Sequence, residues 1–459
     1  MGHNTDMPVK VNRPMQWFLI AMVAILAMAY LVQLASPLRI NTDSYRLLSM
    51  SVSAYQGQGY LVDGQPDQFP PAYPWLIKTM LHLGMANSHT LVALNLLSLA
   101  VGLLVLFQWT SEALSRLWRW VVLVFVLSSW VLVKHVTIPL TDTVFLGMSI
   151  LAVHWMCLFC RSKGRCKWGW YVAALVMSSV ALMCRTTGVA LFPVLGMCLL
   201  IHPEHDRLIN LFLRHRSKLI VGLIVLAVAV YYPLNLLIQS QWFKSQFMES
   251  SSYFQNFIVS VQRHGLLLHM LHNFKFRLIE MGEIFCNVPW TRLPGLLPVF
   301  YAAGVLMWLL LICGFFVLLC HPMLRPVSWY MLSYSCMMLC WPYYDARFWI
   351  PMLPVIALLM WVALAQVQLR FARLRFATTA YMVGVVGLGI VALIFSSRIS
   401  LAGKQFSEVY GNGSAKMTYR YALDNGLPVE MDQVMMGEVR LLEIFEPLAK
   451  SESALDIQD

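Results

Sequence analysis

The chain reads as an all-α polytopic membrane bundle, and three observations predict it. Hydrophobic residues make up 59% of 459 positions and charged residues only 12%. Mean hydropathy is +0.66, far from that of a soluble domain. The apolar residues gather in runs close to the ~20 residues that carry a helix across ~30 Å of hydrocarbon. Those runs lack strand alternation, and lipid admits only helices or closed barrels.

In order, the runs cover about 16–36, 89–109, 118–135, 141–160, 168–184, 188–201, 219–238, 296–320, 327–341, 349–368 and 376–397, which predicts about eleven transmembrane helices. The first run is too long for the apolar core of a secretory signal peptide and reads as a retained anchor. With the N-terminus cytoplasmic, the inner segments hold sixteen bases against four acids and the outer ones seventeen against eighteen. The net charge of +11 therefore reports orientation and gives no reason to expect nucleic acid as a partner. The reading divides the chain into a transmembrane module, 1–397, with outer loops 37–88 and 239–295, and a short extracytoplasmic tail, 398–459. The tail carries six bases and ten acids and is assigned no chemistry. Its Asn412-Gly413-Ser414 would accept a glycan only in a eukaryotic secretory pathway.

The first outer loop predicts two short helices. From Asp43 to Gln56, Tyr45, Leu48, Val52 and Tyr55 recur on one face, with Asn41 or Thr42 as N-cap. Asp43 then lies in the first turn, where it either complements the helix dipole or does chemistry. Asp63-Gly64 reads as a turn, and Pro66, Pro70, Pro71 and Pro74 stiffen the approach to a second helix, about Ala72 to Leu83, ending at Gly84. Twelve residues cannot span a bilayer, so this helix belongs at the interface, with Tyr73 and Trp75 as anchors.

The segment 168–201 lies between two basic inner loops and is therefore a hairpin whose turn is Arg185-Thr186-Thr187-Gly188. Its arms are short, which recesses Arg185 below the surface, where it needs an anionic partner such as a lipid phosphate or must snorkel to water. Lys134-His135 and Thr141-Asp142 flank the turn before the fourth span, and Trp341 to Arg347 precedes the tenth. Taken singly, each is explained as a rim charge; their common side argues for a site at the outer interface. Ionisable residues are nearly absent from the middle of the spans, which disfavours a coupled transporter. In the large outer loop, Leu267, Leu271, Phe274, Leu278, Met281 and Phe285 form a stripe that predicts a helix lying along the membrane or covering the site, with a charged face opposite. Nine of ten cysteines lie in or beside apolar runs, and Cys157 with Cys160 reads as helix packing rather than a metal pair.

Over about 16–370 the chain resembles the GT-C superfamily of membrane glycosyltransferases, of the protein O-mannosyltransferase and aminoarabinose transferase type. The carriers are Asp43-Ser44-Tyr45, Phe69-Pro70-Pro71-Ala72-Tyr73-Pro74, Pro139-Leu140-Thr141-Asp142, Arg185-Thr186-Thr187-Gly188 and Arg347 to Pro354, in that order. The resemblance implies a polyprenyl-phosphate sugar donor, a lipid, glycan or protein acceptor, inversion at the anomeric carbon, and a home in a bacterial cytoplasmic membrane. It makes Asp43 the base and Asp142 a second acid that orients the acceptor or assists a divalent metal. Arg185 and Arg347, with Lys134 and His135 behind them, would hold the phosphate, and Tyr45, Pro70, Pro71 and Tyr73 would contact substrate. The alternatives are a transporter or flippase of lipid-linked sugars, and a ligase or polymerase of the other GT-C branch. The first disagrees with the sparse midplane charge, the second with Asp43 beside Pro70-Pro71.

Overall fold

The computed structural model describes residues 13–67, 69–164, 166–201, 253–371, 374–411, 413–423, 432 and 434–447. Seven helical segments are long and apolar enough to cross a membrane: Arg13–Ala35, Ser88–Ala113, Thr141–Arg161, Lys167–Cys184, Pro294–Leu319, Ala346–Gln368 and Leu374–Ser400. They coincide with seven of the eleven predicted runs. Thr186–Leu200 is a shorter apolar helix, Arg325–Cys340 has 16 residues, and the run 219–238 lies outside the described residues. The window in Ala346–Gln368 is 83% buried, against 22% in the first helix. One helix is thus the centre of the bundle, while Ile25, Leu104 and Val383 are exposed on its outside, as lipid-facing side chains should be.

The run 118–135 departs from the prediction. It is two helices, α5 (Arg116–Leu127) and α6 (Trp130–His135), broken at Ser128-Ser129. A break at this depth frees backbone groups that lipid cannot satisfy. Asn287, in the left-handed region at φ 56°, satisfies them. Its Nδ2 donates to Ser128 O at 2.9 Å and Val385 O at 2.8 Å, and its Oδ1 accepts from Trp130 N at 2.8 Å.

Asn287 follows α11 (Leu266–Cys286), which also corrects the sequence reading. The predicted stripe is not wholly the buried one: Leu267, Leu271 and Phe274 are exposed, whereas His269, Asn273, Arg277, Glu280 and Glu283 are buried. The helix packs its polar face inward along α12 (Leu297–Leu319) and α13 (Arg325–Cys340). Periodicity located the two faces, but it could not say which one meets protein.

The first loop follows its sequence signals closely. Helix α2 (Thr42–Tyr55) is capped by Asn41, whose side chain accepts from Ser44 N while Ser44 Oγ accepts from Asn41 N, a reciprocal cap that satisfies two end donors. Its buried stripe is rotated from the predicted one: Leu47, Leu48, Ser51 and Val52 are buried, and Tyr55 is exposed. Asp63-Gly64, both at positive φ, close a two-residue hairpin between β1 (Leu61–Val62) and β2 (Gln65–Pro66). Helix α3 (Ala72–His82) presents Trp75 outward, but Tyr73 is buried and is therefore no surface anchor.

The tail is part of this layer. Phe406, Tyr419, Leu423, Leu441, Leu442 and Phe445 pack with Leu38, Leu47, Leu48 and Ile77 in a second apolar core. Tyr419 Oη accepts from Ile40 N at 2.7 Å and donates to Leu38 O at 3.0 Å, and Glu446 Oε2 accepts from Leu38 N. The strand of chain that delivers Asp43 is thereby held from outside. Arg39, also buried, donates to Ser36, Ser396 and Ser400; burial pulls its guanidinium down to about 10, so it stays charged at neutral pH.

Candidate active site

Asp43 and Asp142 occupy equivalent places. Each is the second residue of its helix, after a Thr: Thr42-Asp43 opens α2 and Thr141-Asp142 opens α7 (Thr141–Arg161). Both carboxylates thus stand in the first turn, at the positive end of a helix. Arg185 caps the end of α8 (Lys167–Cys184), extended at φ −153°, before a tight 3-10 turn, Thr186–Ala190. Gly188 lets that turn close on α8, because a Cβ there would lie 2.6 Å from the Leu182 backbone. Arg347 lies in a second 3-10 turn, Ala346–Met352, whose start is capped by Asp345 Oδ1 accepting from Arg347 N at 2.9 Å.

These four residues line one cavity of about 320 Å³. Within it, Arg347 Nη2 pairs with Asp43 Oδ2 and Arg185 Nη1 with Asp142 Oδ1. Arg347 Nε lies 3.0 Å from Asp345 Oδ2. The Phe348 ring is shared, with the Arg185 and Arg347 guanidinium carbons 5.5 and 5.4 Å from its centroid. The ring quadrupole attracts each cation. Arg185 is 9% exposed, and the anion on it is the protein's own Asp142.

Pro70 and Phe69 also line the cavity, with Trp341, Tyr343 and Tyr344. Arg46, which the sequence reading did not single out, lines it too; its Nε and Nη2 each meet Asp67 at 2.8 Å, and its guanidinium covers the Phe69 ring at 4.5 Å. Its spacing of three from Asp43 on one helix was the available signal. Other expected residues do not reach the cavity. Tyr45 turns the other way and donates to Asp63 Oδ1 at 2.8 Å, its phenol pushed up by burial and by that carboxylate. Pro71 caps α3 and Tyr73 is buried in the second apolar core. Lys134 is exposed, 5.9 Å from the Trp130 ring centroid, and His135 is buried with Nδ1 2.8 Å from Val131 O. Successive residues on α6 step around the helix axis, which sends these two neighbours apart.

A divalent metal finds a poor fit. Asp43 and Asp142 are each engaged by an arginine, and among the described residues no three His, Cys, Asp or Glu side chains converge as ligands.

Residues 68–232 match the family described as dolichyl-phosphate-mannose-protein mannosyltransferase. The matched part is just over a third of the chain. It contains Pro70, Asp142 and Arg185, but neither Asp43 nor Arg347. Two solved structures resemble the fold, both of ArnT from Cupriavidus metallidurans. The one bound to undecaprenyl phosphate has a TM-score of 0.49 and 14% identity, over 88% of this chain and 68% of that one. The one in the apo state has a TM-score of 0.47 and 14% identity, over 88% and 67%. No curated protein matches the chain. The mannosyltransferase match agrees with the resemblance read from the sequence, that of a GT-C-like membrane glycosyltransferase with an all-α, multi-span fold.

Proposed function

We propose that the chain transfers a sugar from a polyprenyl-phosphate donor to an acceptor hydroxyl at the extracytoplasmic face, with inversion. The observation that carries this reading is the meeting of Asp43, Asp142, Arg185 and Arg347, drawn from four distant segments, in one cavity. Phosphate is recognised by guanidinium forks, and the cavity holds three, those of Arg46, Arg185 and Arg347, beside two helix-start carboxylates.

In this reading the acceptor oxygen attacks the anomeric carbon while Asp43 takes its proton. The bond from that carbon to the phosphate oxygen breaks, and the electron pair leaves with the lipid phosphate. A single displacement of this kind inverts the centre. Arg185 and Arg347 meet charge that grows on the phosphate, the kind of contact that lowers a barrier because it strengthens toward the transition state. Donor binding draws Arg347 from Asp43 to the phosphate, so one movement both clamps the leaving group and frees the base. Asp142 holds Arg185 in place.

The test is incubation of the purified protein with a panel of labelled polyprenyl-phosphate sugars and envelope lipids or peptides. Label should move to one acceptor class, and Asp43→Asn should lower turnover by ~10²-fold or more. Movement of intact donor across vesicle bilayers without any new glycosidic bond would refute the reading in favour of a flippase.

A further inference from the structure

We infer that Glu280 is a positioning residue for Arg347, acting through the Asp345 backbone before it and the Trp349 side chain after it. Glu280 and Arg277 are completely buried on α11, 3.2 Å apart. Glu280 Oε1 accepts from Asp345 N at 3.0 Å and Oε2 from the Trp349 indole Nε1 at 2.7 Å. The two donors stand two residues before and two residues after Arg347. Arg277 Nη2 donates to Tyr343 O, the next fixed point upstream.

The stretch 341–345 is neither helix nor strand, so its backbone has no ladder to define it. One carboxylate supplies the missing acceptor and sets where the 3-10 turn begins. Asp345, fixed by its N–H, in turn caps Arg347 N. The guanidinium therefore projects from a segment whose two ends are tied to a single side chain 65 residues upstream.

Stability alone is a weak explanation for this pair. A buried ion pair recovers its desolvation only with all its hydrogen bonds made, and Arg277 Nε and Nη1 find no partner among the described residues. The arrangement does give geometry, and a misplacement of ~1 Å at a charged contact can cost ~10²-fold.

The inference rests on the proposed role of Arg347 at the donor phosphate. Its test is the affinity of the full-length protein in detergent for a polyprenyl monophosphate, together with donor KM and kcat. Glu280→Gln should weaken binding and raise KM by ~10-fold or more, and it should also lower the melting temperature because it strands the buried Arg277 charge. Added to Arg347→Ala, it should weaken binding no further, because both losses pass through one group. Trp349→Phe removes one donor, leaves the ion pair intact, and carries the same expectation for binding and KM should Glu280→Gln not fold. Normal affinity in Glu280→Gln or Trp349→Phe, or losses that add to that of Arg347→Ala, would overturn the inference alone. Normal affinity in Arg347→Ala would overturn it together with the phosphate reading.

Discussion

Arg347 Nη2 meets Asp43 Oδ2 across 304 residues of sequence. The proposed phosphate clamp and the proposed base thus hold each other, and the carboxylate competes with any anion for the guanidinium. The pair is partly open, at 15% and 25% side-chain exposure, so the competition is modest, ~0.5–1 kcal/mol. Asp43→Asn is expected to bind a polyprenyl monophosphate about two- to five-fold more tightly while losing turnover. Titration of the variant with the lipid in detergent checks this, and weaker binding than wild type would contradict the exchange.

The Asp142–Arg185 pair is deeper, at 4% and 11% side-chain exposure. Removing one partner strands the other. Asp142→Asn and Arg185→Gln should each cost about 3–5 kcal/mol, and the double variant much less than their sum. Thermal unfolding in detergent reads the coupling; single variants that melt like wild type would show the pair to be open to water.

Asn287 should be essential to the broken third run. Asn287→Ala leaves three backbone groups without its amide and places a Cβ-bearing, non-bonding residue at φ 56°. The expected loss is at least ~2 kcal/mol. Asn287→Gly lacks the amide too but relieves the backbone strain, so it should lose nearly as much as Asn287→Ala if the hydrogen bonds decide. A glycine variant with wild-type melting would assign the position to its dihedral instead.

Tyr419→Phe tests the clasp on the segment before Asp43. It removes the bonds to Ile40 N and Leu38 O and little packing. We expect a loss of ~1–3 kcal/mol, a lower kcat, and lipid-phosphate affinity within about two-fold of wild type, because Arg185 and Arg347 are untouched. A fall in affinity as large as that in kcat would mean that the tail acts on the cavity as a whole.

Much of the site was legible because its residues sit at helix boundaries, and boundaries carry local chemistry. Asn41 and Ser44 announce the start of α2, and Gly188 the tight turn after Arg185, so two of the four cavity residues could be placed from short-range rules. Tyr45, Tyr73, Lys134 and His135 were misplaced for one reason. Each lies within three residues of a helix end, and a residue's direction there depends on what packs against the turn. Glu280 and Arg277 were invisible as site-shaping groups, since a polar stripe on a helix reads as solvated until a neighbour is known to cover it.

Sequence by itself determined that the chain is a helical membrane protein, where most of its spans begin and end, and which acids and arginines stand at the same set of helix ends. Those properties follow from hydropathy over ~20 residues and from caps over four. Only tertiary structure decided that Arg347 lies on Asp43 and Arg185 on Asp142, that α11 turns its charges inward, and that the tail grips the first loop. Each of these is a contact between segments far apart in the chain, chosen by which buried charge finds a partner, and no local pattern records that choice.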